Sequence, residues 1–518
     1  MTRPLQRWLR DQSFLILILI GSFVLGVPQF DSRPAGAFFD DAHYIILAES
    51  LVSGQGYRLT NFPNAPVENA FPPGWPLLLT PLVALFPRNY LVLKAFAFLL
   101  WLGCLPLVDS VLGRRLPGLD RKLLLGLVAF SPAVLGLAVT PMSEAAYLFF
   151  SLLTLNVVEI WWQEKRQVRW LVLAFALALC TVAVRTIGIT LLCGMLLFLL
   201  FKGNWRTIGV VLAVVLLGLL PIAWFNLQQG GFLVFSPTYQ AHVDYVITQS
   251  GRFLRFWQEI PRIDLESIAS TVIPLFDLPL LAVWFSPALN RLLSGLALLV
   301  LLGGFGLALR RYRVAELYVL LYLLILYLWF VYVERVQPRL LIPIVPFAYF
   351  YLIVALRWFV ARLPRLSPPQ KDRVLGGGVV GLIVLLMVRN VGRWDAAPPA
   401  RYIAIQAGAE WAHVHTPAAA ILMSTAPEFT YLYARRPTVF APGEEGVDLA
   451  SYIATTGADY IILRPELDQT DLVERPTEQI ASAELLSFLQ ADPAHYRPVY
   501  DDEAHNVRVY QVAKPAQP

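Results

Sequence analysis

The chain has 518 residues, 57% of them hydrophobic and 15% charged, with a mean hydropathy of +0.60. One soluble core of this length needs far less apolar side chain, so a wholly soluble globular protein is excluded and lipid must take the excess. The formal net charge of +5 is no pointer to nucleic acid, because the basic residues fall where a membrane topology would put them.

From the N-terminus, apolar stretches at 14–27, 122–139, 208–225, 289–309 and 374–391 approach or exceed the roughly 18–20 residues that cross a ~30 Å hydrocarbon core. The first follows Arg3, Arg7 and Arg10. No small-x-small cleavage site succeeds it, so it reads as an uncleaved span rather than a secretory signal. The full layout is mainly α, with about eleven spans, at 14–30, 92–112, 122–139, 144–162, 170–184, 187–201, 207–225, 288–309, 316–333, 340–358 and 374–391. Alternate connections are basic: Arg114, Arg115, Arg121 and Lys122; Lys165, Arg166 and Arg169; Lys202 and Arg206; Arg310, Arg311 and Arg313; Arg357, Arg362, Arg365, Lys371 and Arg373. By the positive-inside rule these connections and the N-terminus are cytoplasmic, as in a multi-pass protein of the plasma (inner) membrane. A transmembrane domain over 1–392 then has outward loops at 31–91 and 226–287, and the 393–518 domain is extracytoplasmic.

In the first outward loop, Asp40 and Asp41 open a segment in which Tyr44, Leu47, Ala48 and Leu51 recur at helical spacing, and Gly54 and Gly56 close it. This predicts a short amphipathic helix lying along the outer interface. Further on, Pro72, Pro73, Pro76 and Pro81 interrupt an apolar stretch that ends near Phe86, too short to span and suited to dip into the outer leaflet. An aspartate at a helix start is also a plain cap, though two adjacent acids cannot both serve that way.

The 170–201 region reads as a hairpin of two short helices, because a single helix would reverse the sidedness of every later basic cluster. Two helices of ~15 residues reach only ~22 Å, so the junction at Arg185 and Thr186 falls below the outer surface. A cation there needs a water-filled cavity or an anion; a snorkelling or internally paired arginine is the alternative. Cys104, Cys180 and Cys193 lie in apolar segments without metal-ligand spacing and read as buried, inert thiols. Beyond about residue 400, strands at 418–424, 459–463, 496–500 and 507–512 alternate with helices at 403–413 and 449–455, the pattern of a small α/β layer domain. Gly376, Gly377 and Gly378 lack the context of a nucleotide loop, and His413 and His415 point to different helix faces.

The acidic pair, Tyr44, the Ala48-x-x-Leu51 helix, Gly54-x-Gly56-Tyr57 and Pro72-Pro73-Gly74-Trp75-Pro76 resemble the first outward loop of the GT-C superfamily of membrane glycosyltransferases. The resemblance is to the branch of protein O-mannosyltransferases, lipid A aminoarabinose transferases and their bacterial relatives. It continues through Thr140-Pro141-Met142-Ser143-Glu144, Val184-Arg185-Thr186 and Gln337-Pro338-Arg339. It implies inverting transfer of a sugar from a polyprenyl-phosphate donor to a glycan, lipid or protein acceptor at the outer face. Asp40 would then be the general base, with Asp41 as runner-up. Arg185 and Arg339 would hold the lipid phosphate, Glu144 would orient acceptor or donor sugar, and His43 and Tyr44 would line the site. Each has a plainer reading: interface anchoring for Arg339, a helix-start carboxylate for Glu144, packing for Tyr44. No tightly bound metal is expected from Asp40, Asp41 and His43, while a divalent cation stays open because only some branches use one. The partners expected are the donor, membrane lipids and that acceptor, with no nucleic acid. The rival readings are a transporter or flippase of a lipid-linked glycan, against which there is no second copy of the 38–87 pattern, and a non-catalytic receptor.

Overall fold

A computed structural model describes residues 3–163, 167–202, 205–231, 236–248, 265–272, 287–310, 313–333, 337–394, 396–443, 446–465 and 476–513. Lys165, Arg166, Arg311 and much of the 226–287 loop lie outside these. The chain forms two compact units. Met1–Phe30, Asn69–Trp75 and Lys94–Trp394 make the first; Asp31–Glu68, Pro76–Leu93 and Asp395–Pro518 make the second. Most of the first outward loop therefore belongs to the same unit as the tail.

The helices run α1 (Arg3–Gly26), α2 (Asp40–Val52), α3 (Gly74–Leu85), α4 (Tyr90–Val111), α5 (Gly118–Ala129), α6 (Pro132–Ala138), α7 (Glu144–Gln163), α8 (Val168–Val184), α9 (Ile189–Lys202) and α10 (Trp205–Gln228). They continue as α11 (Pro237–Thr248), α12 (Leu265–Val272), α13 (Pro287–Leu309), α14 (Val314–Val333), α15 (Val345–Ala361) and α16 (Pro368–Val391). Among the described residues seven helices are long and apolar enough to cross a membrane, and α5 with α6, bent by 50°, makes an eighth if the pair is one span. The bend falls at Pro132, which opens α6 after an extended Ser131 because proline has no N–H to continue the α5 ladder. Each of the eleven expected spans has a helical counterpart, but those at 168–184, 186–201 and 314–330 are shorter apolar helices. The chain is thus a polytopic membrane protein of mainly helical fold.

In the first unit, three of the five basic connections are tied to acids on neighbouring helices. Arg115 reaches Glu316 at 2.5 Å and Arg313 reaches Glu159 at 2.9 Å, while Arg121 pairs with Asp109, and Arg357 with Asp120 and Asp372. These pairs gather the ends of α4 and α7 and the start of α14 onto one face. At the end of α7, Trp162 also meets Phe198 of α9, with ring centroids 5.5 Å apart. Since the end of α8 lies at the start of α7 (below), α8 and α9 form a hairpin. Cys104 is buried, as expected of an apolar span, whereas Cys180 is exposed on α8: a thiol in a spanning helix is as free to face the lipid side as the core.

In the second unit the tail builds a five-stranded sheet of order β2-β1-β3-β5-β4, from β1 (Leu422–Ser424), β2 (Thr438–Phe440), β3 (Tyr460–Leu463), β4 (Tyr496–Asp502) and β5 (Val507–Val512). β1 runs parallel to β2 and β3, and β5 is antiparallel to β3 and β4. Among the described residues four helices accompany them: α17 (Ala400–His415), α18 (Pro427–Ala434), α19 (Leu449–Thr456) and α20 (Pro476–Ala491). Side chains alternate across a strand, so neighbours serve opposite cores. Met423 and Ile461 pack with Leu485 and Leu489 of α20, while Leu422 and Ile462 pack with Ala409 and Ala412 of α17.

Candidate active site

The candidate residues divide between the two units, and each group stands by itself. In the second unit the chain enters α2 through a tight turn. Gly36 has φ +93°, open to glycine at no steric cost, and Phe39 has φ 67° and ψ −60° with Asp40 N–H donating to the Phe38 carbonyl at 2.8 Å. This is the γ-turn of the rare, strained kind. Asp41 makes it affordable: its carboxylate accepts from Gly36 N–H at 2.7 Å and Phe38 N–H at 2.9 Å. Asp41 is 1% exposed, and burial pushes its carboxyl up to about 6 against the pull of those two bonds. Asp40, the first residue of α2, is half-buried. The two acids therefore sit in different environments: Asp41 is occupied by the backbone ahead of the helix, and Asp40 follows a strained turn, a setting that concentrates at functional sites.

His43 and Tyr44 are both buried. The His43 ring lies tilted against Phe39 at 4.4 Å between ring centroids, its Nδ1 lies 3.1 Å from the Phe39 carbonyl, and its Nε2 lies 3.7 Å from Glu428 Oε1. Glu428 starts α18, which packs on α2. Burial raises its carboxyl; the His43 charge lowers it and Glu68 raises it further. On α2, Glu49 receives two bonds from Arg435 Nη1, at 2.9 and 2.7 Å, and Arg435 Nη2 donates to Tyr90 Oη at 2.7 Å. Sequence reasoning missed Glu428. Its only signal, proline at the first helical position followed by an acid, marks a helix start and does not reveal the histidine it faces.

α2 also departs from expectation. It was to lie amphipathic along the interface, yet Asp41 through Ala48 and Ser50 are all buried. The stripe at Tyr44, Leu47 and Ala48 is real, but Ile45 and Ile46 on the other side are equally covered. A helix apolar nearly all round belongs in an interior.

In the first unit, Glu144 opens α7 and Arg185 follows the last residue of α8 in extended conformation. Arg185 Nη1 lies 2.7 Å from Glu144 Oε1 and donates to Ser143 Oγ at 3.0 Å. Both side chains are largely buried, at 14% and 2% exposure. Arg185 is thus the internally paired cation, with its pairing acid among the other candidates. One turn along α7, Tyr147 Oη lies 3.0 Å from Tyr318 Oη on α14, and Tyr322 beside them donates to the Leu340 carbonyl at 2.7 Å. Arg339, half-buried, precedes Leu340 in the 3-10 segment Pro338–Ile344. Trp75 Nε1 donates to the Pro141 carbonyl at 2.9 Å, so the proline-rich loop and the segment before Glu144 are joined. Glu144, Arg185 and Arg339 accordingly occupy one end of the bundle, away from the Arg115 and Arg313 ion pairs.

Among the described residues no group of three or more His, Cys, Asp or Glu side chains could hold a metal ion. Asp41 accepts from backbone N–H groups with both oxygens, and His43 Nδ1 lies against a carbonyl.

The fold is similar to those of two solved proteins, an oligosaccharyltransferase and ArnT. An oligosaccharyltransferase of Archaeoglobus fulgidus, solved with a tethered acceptor peptide, matches over 98% of this chain and 75% of its own, at 12% identity and TM-score 0.59. ArnT of Cupriavidus metallidurans in the apo state matches over 97% and 98%, at 12% identity and TM-score 0.55. The same protein bound to undecaprenyl phosphate matches over 96% and 98%, at 13% identity and TM-score 0.52. No protein-family model and no curated protein matches the sequence.

Proposed function

We propose that this protein transfers a sugar from a polyprenyl-phosphate carrier to an acceptor at the outer face of the membrane, with inversion at the anomeric carbon. The observation that carries this reading is the split of the acidic pair. Asp41 bonds to the backbone of the turn, and this supports assigning the chemistry to Asp40, the first residue of α2. The acceptor's hydroxyl or amine would attack the anomeric carbon as its bond to the phosphate oxygen breaks, with Asp40 taking the acceptor's proton. The lipid phosphate leaves already charged and needs cations more than a proton. Arg339 and Arg185 suit that role through bidentate contacts, and Glu144 holds Arg185 in place. The ArnT structure with undecaprenyl phosphate supports a polyprenyl-phosphate partner on this fold.

The expected topology, with the N-terminus and basic connections cytoplasmic, belongs to the same proposal, as does the inner membrane. Asp40→Asn is the test. It keeps the volume and the helix start but cannot accept the proton, so transfer should fall by about 10²-fold or more while expression, membrane insertion and melting temperature stay those of the wild type. Transfer at the wild-type rate in that variant would reject Asp40 as base.

A further inference from the structure

The turn that leads into Asp40 is held from two directions within the second unit. Asp41 takes the N–H groups of Gly36 and Phe38, and two tyrosines of the tail take the carbonyls on the opposite edges of the same two peptide groups. Tyr433 Oη donates to the Ala35 carbonyl at 3.1 Å, and Tyr402 Oη donates to the Ala37 carbonyl. A peptide group is planar, so a bond at its oxygen together with one at its N–H fixes its rotation. Peptides 35–36 and 37–38 are both fixed in this way. Phe429, Leu432 and Tyr433 share one face of α18 at i, i+3 and i+4. A Cβ at Gly36 would lie 3.0 Å from Leu432 Cδ1 and 3.1 Å from Phe429 Cδ2, so that face roofs the turn. Tyr402 stands in the first turn of α17 and accepts from Arg401 Nη2. An arginine only donates, which leaves the tyrosine proton for the Ala37 carbonyl.

We propose that Tyr402 and Tyr433 are positioning residues for the transfer reaction: through the Ala37 and Ala35 carbonyls, the tail holds the strained turn that aims Asp40. The inference rests on the reading of Asp40 as the base and gives the tail a part in the chemical step. The conformation at Phe39 is one a free chain leaves. If it relaxed, the first residue of α2 would shift with it, and a catalytic group displaced by about 1 Å can lose 10²-fold in rate. Water satisfies a carbonyl as well as a hydroxyl does but brings no fixed position. Here each hydroxyl is carried on a ring packed against Phe429, at 5.2 Å between centroids for Tyr402 and 4.9 Å for Tyr433. The two tyrosines follow the carbonyls they hold by 365 and 398 positions, so the turn takes this form only once the tail has folded onto it.

The test compares the purified full chain with a variant carrying Tyr402→Phe and Tyr433→Phe together, which removes both hydroxyls and keeps the rings. Tyr452→Phe is the control: Tyr452 Oη donates to the Phe440 carbonyl at 3.1 Å, the same kind of bond in the same tail but away from the turn. Two readouts are taken. Amide hydrogen exchange over residues 35–40 needs no substrate, and consumption of undecaprenyl-phosphate sugars gives kcat and KM separately. In the doubly substituted variant, exchange should quicken at least about fivefold. Its kcat should fall about tenfold with the KM for the donor unchanged, while the melting temperature stays near that of the wild type. Tyr452→Phe should match the wild type in both readouts. Unchanged exchange over the turn would overturn the proposal, as would quickened exchange with an unchanged kcat, or a control that behaves like the doubly substituted variant. Transfer at the wild-type rate in Asp40→Asn is a separate failure, that of the base reading, and the exchange measurement still decides whether the tyrosines hold the turn.

Discussion

Adjacent identical side chains in this protein do different work because their surroundings differ. Asp41 is buried and bonded to two backbone N–H groups, and its carboxyl is raised from 3.8 to about 6, with burial the largest cause. A group protonated more readily in the folded state than in the unfolded one stabilises the fold fully below its unfolded value. That contribution is lost as pH rises through the folded value. Stability should therefore fall by about 3 kcal/mol between roughly pH 4 and pH 6 on account of Asp41, and Asp41→Asn, which cannot ionise, should remove that slope. Melting curves of wild type and variant across this range check it; parallel profiles would mean that Asp41 does not titrate there. The sequence offered the acidic pair but not its division, because the hydrogen bonds to Asp41 depend on the positive φ of Gly36 and Phe39, which no side-chain pattern announces. Arg185 teaches the same lesson: the sequence marked it as a buried cation in need of an anion, and the anion nearest to it is Glu144, 41 residues earlier in the chain.

At the scale of elements, the Glu144 and Arg185 pair ties the start of α7 to the end of α8. Removing one partner of a buried ion pair leaves an uncompensated charge and costs about 3–5 kcal/mol. Arg185→Met should thus lower the melting temperature strongly, and adding Glu144→Gln should recover part of the loss. A single variant as stable as the wild type would show that the pair does not hold these helices. Close backbone approach fixes another junction. A Cβ at Gly74 would lie 2.5 and 2.6 Å from the carbonyl carbon and oxygen of Ala183 and 2.7 Å from Val184 N, and backbone cannot yield as a side chain can. Gly74→Ala is expected to cost about 1–3 kcal/mol, readable as an earlier thermal transition; an unchanged transition would show the junction can relax. The proline-rich loop was legible as a short helix near the membrane, yet not its abutment on the end of α8. Tail elements with clear periodicity, such as the strand at 507–512 and the helix expected at 449–455, appear where the pattern put them, the helix one residue longer. The strand Thr438–Phe440 was missed because three residues are too few for a period to show, and the helix Pro427–Ala434 was missed as well.

For the whole molecule, hydropathy alone identified a polytopic membrane protein, and the charges sorted its connections. The structure adds that four of those charges, Arg115, Arg121, Arg313 and Arg357, pair with acids on neighbouring helices and so help to fasten the first unit together. The loop at 31–68 grouping with the tail was beyond sequence reasoning, since burial of α2 on α18 joins residues nearly 400 positions apart, as Glu49 and Arg435 do. Under the proposed function, the donor is drawn from the membrane. The most direct measurement is consumption of a panel of polyprenyl-phosphate sugars by the purified protein, wild type beside Asp40→Asn. The account predicts that the wild type consumes at least one donor and releases the lipid phosphate while the Asn variant does not; consumption of none, or equal consumption by both, would contradict it.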